Sequence, residues 1–329
     1  FAILESRLTG ELNYYNKKAQ DALIFIPVFG TVGDLSSTIV RNAAAIKNAG
    51  VEVLLNWKNR VNDNFSYNIG GNATFNHNEV VALNGGLPVY GGAIGASQGF
   101  VTNSDVGHPV GSFYVLQTSG VFNSTAEVAA HTNSEGTVIQ PTAKPGDFRY
   151  LDKNDDGQID DRDKVFAGSY QPVAYFGMNF GATYRNWDFS LDIYGNVGNK
   201  VYNGKRAVRV EGKDNIEKEV VYGRWTSGGR SQSHPGANTG NQLPSTYFVE
   251  SGSFGRINNL TVGYNFPRER LEKLRVTNLR LFLTSQNLVT YKRYSGFTAE
   301  LPGTVTSSGI ELTSYPTTRT IAAGLNIGF

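Results

Sequence analysis

Residues 174–197 read AYFGMNFGATYRNWDFSLDIYGNV. Ala174, Phe176, Met178, Phe180, Ala182 and Tyr184 fall on one face of an extended chain. After the short turn RNW at 185–187, Trp187, Phe189, Leu191, Ile193 and Val197 fall on one face against Asp188, Ser190, Asp192 and Asn196. A period of two predicts strands, and the short link between the runs predicts a hairpin. Each run has roughly ten residues, whereas strands of soluble sandwiches average five or six. A strand that crosses a bilayer needs about 9–11 residues, apolar toward lipid and polar toward the lumen.

The same pattern recurs along the chain. Leu8, Gly10, Leu12 and Tyr14 alternate with Arg7, Thr9, Glu11 and Asn13. Val51, Val53, Leu55 and Trp57 form another run, then Phe65, Tyr67, Ile69, Ala73 and Phe75. Leu260, Val262, Tyr264 and Phe266 follow, then Leu279, Leu281 and Leu283, and the chain ends on Ile321, Ala323, Leu325, Ile327 and Phe329. Tyr14, Tyr15, Tyr184, Trp187, Tyr264 and Phe266 lie near strand ends, as an aromatic girdle requires. Connections alternate between short ones (59–64, 185–187, 267–275) and long ones (77–110, 119–172, 198–255, 291–318) rich in Gly, Ser, Asn, Thr and Pro. The expected fold is all-β: a transmembrane antiparallel β-barrel with short periplasmic turns and long extracellular loops.

Composition agrees. Of 329 residues 38 are Gly, 12% are aromatic and 18% are charged, a strand-and-turn composition short of helix formers. A net charge of +2, with no run of five or six like charges, argues against a nucleic-acid partner. The absence of cysteine excludes disulfides and thiolate chemistry. Four scattered histidines (His77, His108, His131, His234) form no metal motif. No G-x-S-x-G elbow occurs, and the glycine-rich 91–99 opens no helix, so no enzymatic constellation is expected.

One stretch does carry ligand chemistry. DKNDDGQIDDRD at 152–163 places Asp152, Asn154, Asp156, Gln158, Asp160 and Asp163 at positions 1, 3, 5, 7, 9 and 12 of a calcium loop, with Gly157 at 6. Position 12 is Asp where Glu is usual, and Pro145, Gly146, Gly168 and Pro172 break the flanking helices that a sensor needs. The expectation is a structural calcium clasp that fixes loop residues such as Tyr150 and Phe166. Trp225, Tyr247, Phe248, Tyr90 and Asn241 are loop candidates for stacking on, or pairing with, a sugar or peptide. Asp188 and Asp192 are expected to set lumen polarity.

Several blocks, in order, resemble the C-terminal part of SusC/RagA-type TonB-dependent outer-membrane transporters of Bacteroidetes. They are NYYNKKAQDALI (13–24), NAGVEVLLNW (48–57), PGDFRYLDKNDDGQIDDRDKVFAGSYQP (145–172), YFVESGSFGRINNLTVGYNFP (247–267), SQNLVTYKRYSGFTAE (285–300) and YPTTRTIAAGLNIGF (315–329). The terminal Phe329 is similar to the assembly signal of such barrels. The resemblance implies that residues 1–329 supply roughly ten strands of a barrel of about 22, with the plug and N-terminal strands outside this chain. It implies outer-membrane import of a bulky glycan or peptide with a SusD-like surface lipoprotein and a TonB complex, and transporters that pair as dimers. Two other readings stand beside it: a secreted, calcium-stabilised carbohydrate-binding β-protein, and a passive porin.

Overall fold

The computed structural model describes residues 1–27, 38–83, 86–94, 98–209, 215–229, 231, 233–237, 242–272 and 275–329. A nine-stranded sheet runs through the chain in sequence order. Its strands are β1 (Ala2–Ile3), β2 (Leu8–Pro27), β3 (Thr38–Asn62), β4 (Phe65–Leu83), β5 (Ala174–Tyr184), β6 (Trp187–Val197), β7 (Phe254–Asn265), β8 (Asn278–Lys292) and β9 (Thr320–Gly328). All neighbours are antiparallel. Eight of the nine are long and β1 is a two-residue stub, slightly fewer than the expected ten.

Register converts alternation into two faces. Ile69, Phe180, Leu191 and Leu260 stand side by side on β4 to β7. Below them run Phe189, Val262, Leu283 and Ala323, and then Tyr184, Trp187, Tyr264, Leu281 and Leu325. These side chains lie on an open face: Leu283 is 55% exposed and Leu325 55%. The turn-side rim is aromatic, with Trp187 against Tyr264 (ring centres 4.9 Å) and Tyr264 against Phe266 (5.1 Å). The opposite face is polar. Ser66 meets Thr183 at 2.7 Å, and Thr261 meets Thr284 at 2.7 Å.

Two details differ from the sequence reading. The β5–β6 turn is only Arg185–Asn186, because Trp187 already pairs with Tyr184; Arg185 takes a left-handed φ of 53° to reverse the chain. Further, β2, β3 and β4 have 20, 25 and 19 residues, where about ten were read. Past Tyr15 the segment NKKAQD is polar on both faces, so alternation no longer marks a strand that backbone pairing carries on. These strands therefore rise beyond the apolar belt.

The long connections form a second layer with its own core. A four-stranded sheet of 89–93, 100–104, 112–116 and 164–166 packs beside the pairs 118–121/148–150 and 200–202/249–251. Phe113, Tyr150, Tyr202 and Phe248 are wholly buried there, each burial being worth roughly 1.5–3 kcal/mol.

The two faces make opposite demands on substitution. Leu191→Arg should lower the unfolding free energy in bilayers by about 2–4 kcal/mol, the cost of a cation near the midplane. Thr284→Arg on the polar face should cost far less. Urea titration of the membrane-inserted protein measures both, and equal losses would contradict the assignment of faces.

Candidate functional site

The acidic loop folds as a compact turn at the edge of the loop core. Asp152 accepts the amides of Asp155 (2.7 Å) and Gly157 (2.8 Å). Gly157 has φ +79°, the left-handed region that a side chain resists. Asn154 accepts the Asp156 amide at 3.2 Å, and Asp156 accepts the Gln158 amide at 3.0 Å. Ile159 packs into the loop core. A short helical turn at 161–163 closes the loop, and the fully buried Asp163 accepts the amides of Lys153 and Asp160, both at 2.8 Å.

The glycine at position 6 and the Asx turns suit a cation-binding loop, while the side-chain oxygens of Asp152, Asn154 and Asp156 accept the loop's own backbone amides. The side chains place a competitor there. The Arg162 guanidinium lies 2.5 Å from Asp156 and 2.7 Å from Asp160. Among the described residues no group of three or more His, Cys, Asp or Glu side chains converges as a metal cluster. The Ser134 hydroxyl and amide hold the Asp155 carboxyl below the usual carboxylate range, and the Arg162 side chain does the same for Asp160.

The aromatic candidates divide by burial. Phe248 is 0% exposed and Tyr247 packs against Phe148, with its hydroxyl 2.7 Å from Nδ1 of His234. Burial pushes the Tyr247 hydroxyl up and lowers the His234 imidazole. Trp225 packs against the loop core and covers Gly146, which has no side chain to keep it away. The stacking role expected for Phe248 is thus corrected: a ring without exposed surface cannot meet a ligand, and Trp225 and Tyr247 also serve the core. Tyr90 does stand out at 43% exposure, beside Phe100 at 42%, which sequence reading passed over. Asn241 lies outside the described residues.

The inner face carries the polar groups. Arg280 reaches past Gly263, bare of a side chain, to Asp188 two strands away (2.5 Å), and Asn265 donates to the same carboxylate (2.9 Å). Asn259 donates to Asp192 at 3.4 Å. Higher up, a register shift in β7 between Ile257 and Asn259 resets the alternation. Arg256 consequently faces inward with Tyr194. Its guanidinium donates to the Tyr194 hydroxyl (2.8 Å) and to Thr290 (2.9 Å), and pairs with Glu300 of the 293–319 connection (2.5 Å). Ala299 and Leu301 pack on Phe254 and Tyr194, so this connection folds inward across the loop-side end of the sheet. Sequence reading missed this latch. The three-residue step from Ile257 to Leu260, which breaks the period of two, was the signal for it.

An outer wall apolar to lipid, a polar inner face and a loop layer across one end define an outer-membrane barrel wall. Over its whole length the chain is 30% identical to TonB-dependent receptor P26 of Formosa agariphila and 27% identical to TonB-dependent receptor SusC of Bacteroides thetaiotaomicron. It spans about a third of each relative, 33% and 31%. In structure it is similar to the RagAB peptide transporter (TM-score 0.77, 20% identity, all of this chain on 34% of that one) and to the RagAB peptide importer in its closed-closed state (TM-score 0.76, 20%, 34%). No family model matches. The resemblance to SusC/RagA-type TonB-dependent receptors read from the motifs is borne out across the chain. With it stand the antiparallel β-barrel class and the outer-membrane location.

The acidic loop also has a pH signature. Carboxyls held below their ordinary pKa add stability above about pH 4 and lose it as pH falls through their folded values. Hydrogen exchange of 152–163 should therefore be steady from about pH 7 to 5 and quicken, after correction for intrinsic rates, below about 4. Loosening on raising the pH instead would contradict the pairing of Asp155 with Ser134 and Asp160 with Arg162.

Proposed function

We propose that this chain is wall and outer loops of an active outer-membrane importer for a bulky nutrient, a glycan or a peptide. The single observation that carries the reading is the combination of faces: an apolar belt over eight strands outside, hydrogen-bonded polar groups inside, and a loop layer with its own core across one end. A nutrient enters from the loop side, meets the loop layer, and passes along the polar face. A SusD-like lipoprotein covers the loop side and a TonB complex supplies energy from the turn side, in keeping with the names of the relatives and the RagAB likeness. This reading is a transporter and not an enzyme.

A passive porin is disfavoured by the 293–319 connection, which Arg256 and Glu300 hold across the loop-side end. A secreted binding protein would bury the apolar face that is exposed here. Calcium has a place in the reading as a clasp. Asp152, Asn154, Asp156, Asp160 and Asp163 would hold it with the Gln158 carbonyl, once the Arg162 side chain, 61% exposed, swings out. When bound, the ion would supply positive charge that cross-links the loop.

Two experiments test these statements. The native chain extracted from membranes should have about three times the mass of these 329 residues, and its deletion should abolish TonB-dependent growth on the nutrient. A mass equal to this chain alone, or uptake that survives loss of TonB, would remove the importer. For the clasp, chelation or Asp152→Ala with Asp156→Ala should speed proteolysis within 152–163 without moving barrel melting. Identical cleavage with calcium and with chelator would remove the ion.

A further inference from the structure

At the loop-side end of the inner face lies a cavity of about 200 Å³. Two strands, β7 and β8, and the 293–319 connection contribute to it. Arg256, Thr290 and Lys292 come from the wall, and Phe297, Thr317 and Arg319 from the connection. The balance of charge is uneven. Three cations and no carboxylate line this small space, and Glu300, in the same connection, is already paired with Arg256. Lys292 donates to the carbonyl oxygens of Tyr294 (2.8 Å) and Gly296, and the carboxylates of Glu250 and Glu311 lie near enough to act on its charge. Arg319 is exposed and none of its contacts is an ion pair among the described residues.

The cavity is built rather than incidental. Arg256 is only 5% exposed, and Tyr194, Thr290 and Glu300 fix its guanidinium, so the wall behind the cavity is rigid. Phe297 is 56% exposed, with the Lys205 ammonium over one face of its ring (4.5 Å to the ring centre), and the hydroxyls of Thr290 and Thr317 lie beside the cations, each accepting a hydrogen bond from Arg256. An aromatic face binds the C–H face of a sugar ring, hydroxyls pair with its oxygens, and cations take a carboxylate through charge-assisted hydrogen bonds. The volume suits about one ring and not a folded chain.

We propose that this cavity is a subsite for a carboxylated sugar residue of the imported nutrient, with Arg319 and Lys292 as its carboxylate partners and Phe297 as its stacking face. The proposal rests on the importer reading and narrows its substrate class. Arg256 is the positioning residue: it holds the connection that carries Phe297 and Arg319 against the wall.

Titration calorimetry on the full-length transporter in detergent tests it with three probes: a galacturonic acid trimer, the methyl ester of that trimer, and triglutamate. The acid should bind at least about tenfold tighter than its ester, the worth of one charge-assisted hydrogen bond. Arg319→Gln with Lys292→Gln should remove that preference, Arg319→Lys should keep most of it, and Phe297→Ala should weaken acid and ester alike. The exposed Arg319→Gln alone, with unchanged melting, guards against misfolding as the cause. Equal affinity for acid and ester, or variants that leave the preference intact, would overturn the subsite. Triglutamate binding tighter than the sugar acid would overturn the sugar assignment. TonB-dependent uptake of the native nutrient that persists in any of these cases keeps the importer reading apart from the failure of this one.

Discussion

Inside a bilayer no water is present to satisfy a peptide N–H or C=O, so every strand must be paired along its whole length. The rest of the molecule follows from that constraint. It forces the eight long strands into one continuous antiparallel ladder, and the ladder in turn fixes which side chains share a face. Phe180, Leu191 and Leu260 are aligned because the backbone register between β5, β6 and β7 leaves no other arrangement. A slip of one residue would carry a whole apolar row to the polar side.

Where function needs a residue on the other face, the ladder is broken locally. The extra residue in β7 near Asn258 turns Arg256 inward, and Arg256 then holds the 293–319 connection through Glu300. Gly263 serves a related purpose lower down, where its missing side chain lets Arg280 bridge to Asp188 across an intervening strand. Both devices are cheap in sequence, one insertion and one glycine, and both organise the inner face.

The loop layer obeys different physics. Water surrounds it, so its long segments must bury apolar surface to hold a shape. Phe113, Tyr150, Tyr202 and Phe248 do this, drawn from connections far apart in the chain. The acidic loop is tied to that core by Ile159 and the buried Asp163, which explains why a short polar turn has a defined conformation.

The sequence by itself determined the strands of the wall, their two faces, the turn-side aromatic rim of Tyr184, Trp187, Tyr264 and Phe266, though not the place of Tyr14 and Tyr15, which lie inside β2, and the turn-forming acidic loop. Each of these is a local pattern with a fixed period or spacing, and local backbone geometry enforces it. It did not determine which loop aromatics are free. Trp225, Tyr247 and Phe248 look like Tyr90 in sequence, yet three pack in the core and one is exposed, because burial is set by partners distant along the chain. It did not show how far β2 and β3 extend, since polar residues on both faces erase alternation while backbone pairing continues. Nor did it show that Arg162 would lie across the acidic loop or that Arg256 would meet Glu300. Charged side chains pair by proximity in space, and only the tertiary fold decides which of them come near.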